Sequence, residues 1–108
     1  MSQDYLGEFE QMVLLTIMRL GGDAYGLAVR DELEAVAGRS PSNKSLYTTL
    51  DRMEKKGLVE SSAGEITQER GGRPRRYVRV TPEGQALLAR SRSTLMALWN
   101  GLEGALDR

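Results

Sequence analysis

The stretch Ser40–Val59, S-P-S-N-K-S-L-Y-T-T-L-D-R-M-E-K-K-G-L-V, decides how this chain is read. It predicts one helix with separated faces. Ser40 is the expected N-cap, and Pro41 fits the first helical position, where a missing N–H costs nothing. Leu46, Leu50 and Met53 recur at the spacing of an apolar helix face. Lys44, Thr48, Asp51 and Lys55 fall almost opposite them, with Tyr47 and Arg52 on the flanks. Gly57 is expected to end the helix and Leu58-Val59 to begin a strand. The outward face donates hydrogen bonds and is mostly positive, which suits a helix laid in the major groove of DNA. The segment alone fits an ordinary amphipathic surface helix equally well, so the choice rests on its surroundings.

Charge is the first of these. The 108 residues carry 15 Lys and Arg against 15 Asp and Glu, a net charge of zero, but the charges are not evenly spread. Before residue 39, Arg19 and Arg30 face seven acids. From Arg39 to Arg79, ten bases (Arg39, Lys44, Arg52, Lys55, Lys56, Arg70, Arg73, Arg75, Arg76 and Arg79) outnumber five acids. A neutral protein with a basic middle meets the requirement of a local DNA footprint. The chain has no Cys and no His. That excludes disulfides, thiolate zinc sites, Cys nucleophiles and His acid–base catalysis. No metal, cofactor or enzymatic activity is expected. No apolar run approaches a membrane span and no leader-like segment opens the chain. The expected location is the cytoplasm, without a membrane partner.

The flanking segments extend the pattern. Residues 1–6 read as a mobile start. Phe9, Met12, Val13, Ile17 and Leu20 follow helical spacing over Gly7–Leu20, and Leu14, Leu15 and Met18 widen the stripe. A helix apolar on more than one side is buried on more than one side, here by a core and a partner subunit. Gly21-Gly22 stop it. Asp23-Ala24 are expected to open a second helix bearing Tyr25, Val29, Leu33 and Val36, closed by Gly38. Gly38-Arg39-Ser40-Pro41 then forms the short joint of a helix-turn-helix.

A strand beginning at Leu58-Val59 can run to Glu69. Gly71-Gly72-Arg73-Pro74 marks a turn, and Arg75–Val80 is rich in strand formers. Arginines 70, 73, 75 and 76 crowd this hairpin's tip. It reads as a wing reaching the phosphates or the minor groove, against the alternative of a charged edge guarded from aggregation. Thr81-Pro82-Glu83 starts a last helix, expected to reach about Leu106. Leu88, Leu95 and Leu102 repeat every seven residues, with Leu98, Trp99 and Leu106 beside them. The natural destination of that stripe is a second subunit.

Three groups of residues, in this order, resemble the PadR family of transcriptional regulators. They are Tyr25-Gly26-Leu27-Ala28-Val29 with Leu33; Leu46-Tyr47 with Leu50, Arg52, Gly57, Leu58 and Val59; and Arg76-Tyr77 with Thr81, Gly84 and Leu88. The resemblance spans about Gly7 to Leu106 and looks like the smaller type with a single C-terminal helix. It departs from the family at Thr48, where a proline is usual, and at Val78, often aromatic. The expected fold is mainly α with a small β-hairpin: a winged helix-turn-helix over residues 1–81 and a dimerisation helix over 82–108. The resemblance implies a homodimer that grips a pseudo-palindromic site on double-stranded DNA and represses transcription. It also implies release by a small aromatic effector near the dimer interface, for which Trp99, Leu95 and Met12 are candidates.

The candidate DNA-contacting residues are Asn43, Lys44, Tyr47 and Thr48 at the start of the recognition helix, then Lys55, Arg73, Arg75 and Arg76. Tyr25 is expected to pack. Two rival readings stand beside this one: a winged helix used as a protein-interaction module, and a small-molecule sensor without DNA binding.

Overall fold

The computed structural model describes residues 6–66 and 74–106. Their order is α1 (Glu8–Leu20), a 3-10 turn (Gly21–Asp23), α2 (Gly26–Ala37), α3 (Asn43–Lys55), β1 (Val59–Ile66), β2 (Pro74–Val80) and α4 (Pro82–Trp99). The mainly helical chain with one antiparallel hairpin is the winged helix-turn-helix expected from the sequence. The apolar stripes of α1, α2 and α3 meet in one core, where Val13, Leu14, Val29, Leu33, Leu46, Leu50 and Met53 are all buried. Val59, Val78 and Val80 close it from the hairpin side, and Leu87 and Leu88 from α4.

Several boundaries differ from expectation, each for a physical reason. Ser42, not Ser40, caps α3: its Oγ accepts the Ser45 N–H at 3.0 Å. Pro41 therefore lies outside the helix, where its carbonyl accepts Arg30 Nε at 3.1 Å. Ala24 and Tyr25 do not open α2. They run extended beside β2, where Ala24 O accepts the Val78 N–H at 2.9 Å and Tyr25 bridges Tyr77. Leu6 belongs to the core, 6% exposed, not to a loose start. Residues 1–5 and the expected hairpin turn at residues 71–73 lie outside the described residues. So does the proposed continuation of β1 from residue 67 to Glu69.

The last helix is shorter than expected. It ends at Trp99, and after it Gly101 adopts a left-handed φ of 86°. The chain then turns, with Leu102 N–H donating to Trp99 O at 2.7 Å. Leu102 and Leu106 thus fold beside Leu95, Leu98 and Trp99 rather than continuing the heptad along a rod. At the other end of α4, Thr81 ties three elements together. Its hydroxyl accepts the Gly84 N–H at 3.0 Å and donates to Gly57 O at 2.6 Å.

Glu10 links the start of α1 to the end of α3. Its side chain is only 11% exposed, and its carboxylate accepts the Gly7 N–H at 3.0 Å and sits 3.4 Å from Arg52 Nε and 3.3 Å from Lys56 Nζ. Burial by itself raises its pKa, but the Gly7 hydrogen bond, Lys56 and Arg52 together outweigh it, so the carboxyl titrates below its ordinary 4.5. A carboxyl depressed on folding stabilises the protein above its unfolded pKa. That contribution is lost as pH falls through the folded value. Urea midpoints should therefore drop below about pH 4.5. Glu10→Gln should flatten that limb and cost about 1–2 kcal/mol at pH 7. Parallel midpoint-against-pH curves for parent and variant would show that Glu10 carries none of this dependence.

Candidate nucleic-acid interface

On α3, alternation between core and solvent follows from helical periodicity. Leu46, Thr49, Leu50 and Met53 are buried, whereas Lys44, Thr48, Asp51 and Lys55 are exposed. The hairpin leaves the end of this helix and folds back beside it, its strands in register from Val59 opposite Val80 to Ala63 opposite Arg76. A donor-rich helix face and a basic hairpin thereby share one side of the molecule.

At the start of α3, Asn43 and Tyr47 are each held from α2. Arg30 bridges the helix-turn-helix joint, donating Nε to Pro41 O and one terminal nitrogen to Asn43 Oδ1 at 3.2 Å. Tyr47 lies over Gly26, where an added Cβ would stand 2.7 Å from Cζ and closer still to the hydroxyl. The side chain of Tyr47 is still 37% exposed, so part of its ring faces solvent beside Thr48. Gly26 is thus the seat for Tyr47. Neither Arg30 nor Gly26 is marked for these roles by residue type alone. Arg30 stood only as a base in an acidic segment.

The hairpin arginines divide. Arg73 lies outside the described residues. The guanidinium of Arg75 stacks 4.2 Å from the centroid of the Tyr25 ring, and Tyr25 meets Tyr77 edge-on at 5.6 Å. Tyr25 therefore packs, as expected, between the start of α2 and the hairpin. Arg76 turns the other way, toward α3. Its terminal nitrogens pair with Asp51 at 3.0 Å and Glu54 at 2.8 Å, and its Nε donates to Ser61 Oγ at 2.9 Å. Ser61 in turn donates to Glu54 at 2.8 Å.

The candidate effector residues are also divided. Leu95 and Trp99 line one groove of about 520 Å³ with Leu15 and Met18. Met12 lies on the other side of α1, in a groove of about 480 Å³ with Leu33 and Val36. Leu15 and Met18 border both grooves. Among the described residues, no cluster of His, Cys, Asp and Glu could hold a metal ion, and no helix is long and apolar enough to cross a membrane.

Comparison with known proteins agrees with this geometry. The model of the transcriptional regulator PadR-like family matches residues 14–90, most of the chain and all of the helix-turn-helix and hairpin. An uncharacterised protein of Lysinibacillus sphaericus is 29% identical over 103 residues, 94% of this chain and 86% of its own. The crystal structure of a PadR family transcriptional regulator from Eggerthella lenta is 30% identical with a TM-score of 0.68, over 92% of this chain and 86% of that one. A PadR-like regulator from Bacillus cereus, 22% identical, shares the fold with a TM-score of 0.71 over 93% and 92% of the two chains. This chain belongs to the PadR-like family of transcriptional regulators and is a DNA-binding regulator of transcription.

Proposed function

We propose that the protein is a cytoplasmic homodimeric repressor that grips a pseudo-palindromic operator with one α3 and one hairpin from each subunit. The observation that carries this reading is the face of α3. Lys44, Thr48 and Lys55 stand exposed on the side opposite the buried Leu46, Leu50 and Met53, next to the basic hairpin. Thr48 and the exposed part of Tyr47 face bases, with Asn43 at the helix start, where helices of this type meet base edges. Lys44, Lys55, Arg73 and Arg75 contribute positive charge toward phosphates or the minor groove.

Dimerisation rests on an apolar surface that one subunit leaves open. Leu15, Met18, Leu95, Met96, Leu98 and Trp99 are each between 43% and 68% exposed. Contiguous apolar surface of this kind marks an interaction site. The grooves flanking Leu15 and Met18 would then lie at the interface, and the one with Leu95 and Trp99 suits a flat aromatic effector whose binding releases DNA. Met12 would reach such an effector only from the neighbouring groove.

The test is binding to the DNA upstream of the protein's own gene, measured against salt. In a dimer, Lys44→Ala with Lys55→Ala removes two cations from each half-site. The slope of log K against log salt should then shrink by roughly 3–4, with the larger affinity loss at low salt. An unchanged slope would remove α3 from the interface. No complex at low salt with the parent protein would favour a protein-interaction module instead.

A further inference from the structure

We propose that Arg76 is a positioning residue of the DNA-binding face, which holds the hairpin on α3 and neutralises the helix's own carboxylates rather than contacting DNA. The inference rests on the reading of α3 as the recognition helix. Asp51 and Glu54 are the acids on the exposed side of α3, with side chains 62% and 42% exposed. Asp51 lies one turn from Thr48 and Lys55, on the face assigned to the groove. Left alone, these carboxylates would meet the phosphates as like charges and work against binding.

Arg76 answers both of them. Each of its three guanidinium nitrogens has a partner: Asp51 at 3.0 Å, Glu54 at 2.8 Å and Ser61 at 2.9 Å. Its side chain is 32% exposed, the least of the three groups in these ion pairs. Strand alternation explains the direction. Arg76 shares a strand face with Val78 and Val80, which are buried against the helices, whereas Arg75 and Tyr77 share the other. Arg76 sits opposite Ala63 in the register, and its Ser61 partner lies on the neighbouring strand, so the same side chain crosses from β2 to β1 to α3. The planar fork of arginine suits this triple engagement, which lysine would not reproduce.

A guanidinium that touched phosphate and one that shields carboxylates make opposite predictions in a double-mutant cycle. The variants are Arg76→Ala, the pair Asp51→Asn with Glu54→Gln, and all three together. Arg76→Gln serves in place of alanine if that variant does not fold, with helix content checked by circular dichroism. Each is titrated with the upstream DNA that the parent binds, across a salt series. Arg76→Ala should weaken binding about ten- to hundred-fold. The acid-to-amide pair should bind at least as tightly as the parent. Adding Arg76→Ala to that pair should cost less than about threefold, because nothing is left to neutralise. If Arg76→Ala instead costs the same factor in both backgrounds, or leaves parental affinity unchanged, the proposal is overturned. The parent lane separates the premises. Parental binding with additive variants defeats only the role of Arg76, whereas no parental binding defeats the DNA-binding reading beneath it.

Discussion

Gly84→Ala is expected to lower the thermal midpoint by about 5–15 °C at fixed protein concentration. In an exposed helix the same change would stabilise by up to about 1 kcal/mol, because alanine is the better helix former. Here the first turn of α4 lies directly on the chain between α3 and β1. A Cβ on Gly84 would run into the carbonyl oxygen of Leu58, with the Leu58 carbonyl carbon at 3.2 Å and Val80 Cγ1 at 2.7 Å. The Leu58 carbonyl cannot swing aside, since it accepts the Thr81 N–H at 2.9 Å. Val80 is itself buried in the core. Relief requires α4 to lift from the hairpin, breaking the hydrogen bond from Thr81 to Gly57 as it goes. Overpacking of this kind costs about 1–3 kcal/mol, which exceeds the gain in helix propensity. Gly22→Ala is the matched control, for nothing lies within 4 Å of its added Cβ. It should leave the midpoint within a few degrees. Equal midpoints for the two variants would mean that α4 does not press on Leu58 as described.

The residues that carry periodicity could be read directly. Leu46, Leu50 and Met53 are core because an apolar stripe at helical spacing has nowhere else to go, and their burial leaves Lys44, Thr48 and Lys55 outside. Thr81-Pro82 could be read because capping chemistry is local, as the Gly84 N–H to Thr81 bond confirms. The misplaced cap of α3 is instructive. In S-P-S both serines are capable caps. Arg30, eleven residues earlier, decides between them by drawing the Pro41 carbonyl out of the helix. A tertiary contact settles a choice that local chemistry leaves open.

Two other differences had a signal in the chain that was outweighed. Asn100-Gly101 is a helix stop, and the glycine takes the left-handed conformation that such stops use. The seven-residue recurrence of Leu88, Leu95 and Leu102 masked it. The hairpin arginines look alike as composition, but strand alternation sorts them, putting Arg76 with Val78 and Val80 and Arg75 with Tyr77. What no alternation reveals is the partner. The pairing of Arg76 with Asp51 and Glu54, like that of Glu10 with Arg52 and Lys56, joins residues far apart in sequence. Arg52, half-exposed, pairs with Glu10 at the junction of α1 and α3.

The largest functional effect should come from residues far from α3. Leu95→Glu with Leu98→Glu alters side chains that are 47% and 68% exposed and contribute little to the core of one subunit. In a monomer the new carboxylates stay in water, so the helix content of the subunit should change little, while the thermal midpoint loses the part that dimerisation supplied. In a dimer closed over this surface, each subunit would bring two charges into an apolar contact without partners. The effective penalty is several kcal/mol for each buried ion. The dimer should therefore dissociate, and sedimentation should report the 12.0 kDa chain rather than a particle of twice that mass. DNA binding should fall with it. Two recognition helices on one rigid dimer reach adjacent half-sites as an intramolecular event, an advantage of roughly 10²–10⁴ over separate binding. A monomer forfeits that factor while keeping every contact of its own α3. The distinguishing result is therefore affinity lost at full length but retained, at its weaker level, on a single half-site. If the variant sediments as the parent does, the apolar face of α4 is not the dimer surface. If it becomes monomeric yet binds the full site unchanged, two-fold recognition of the operator is wrong.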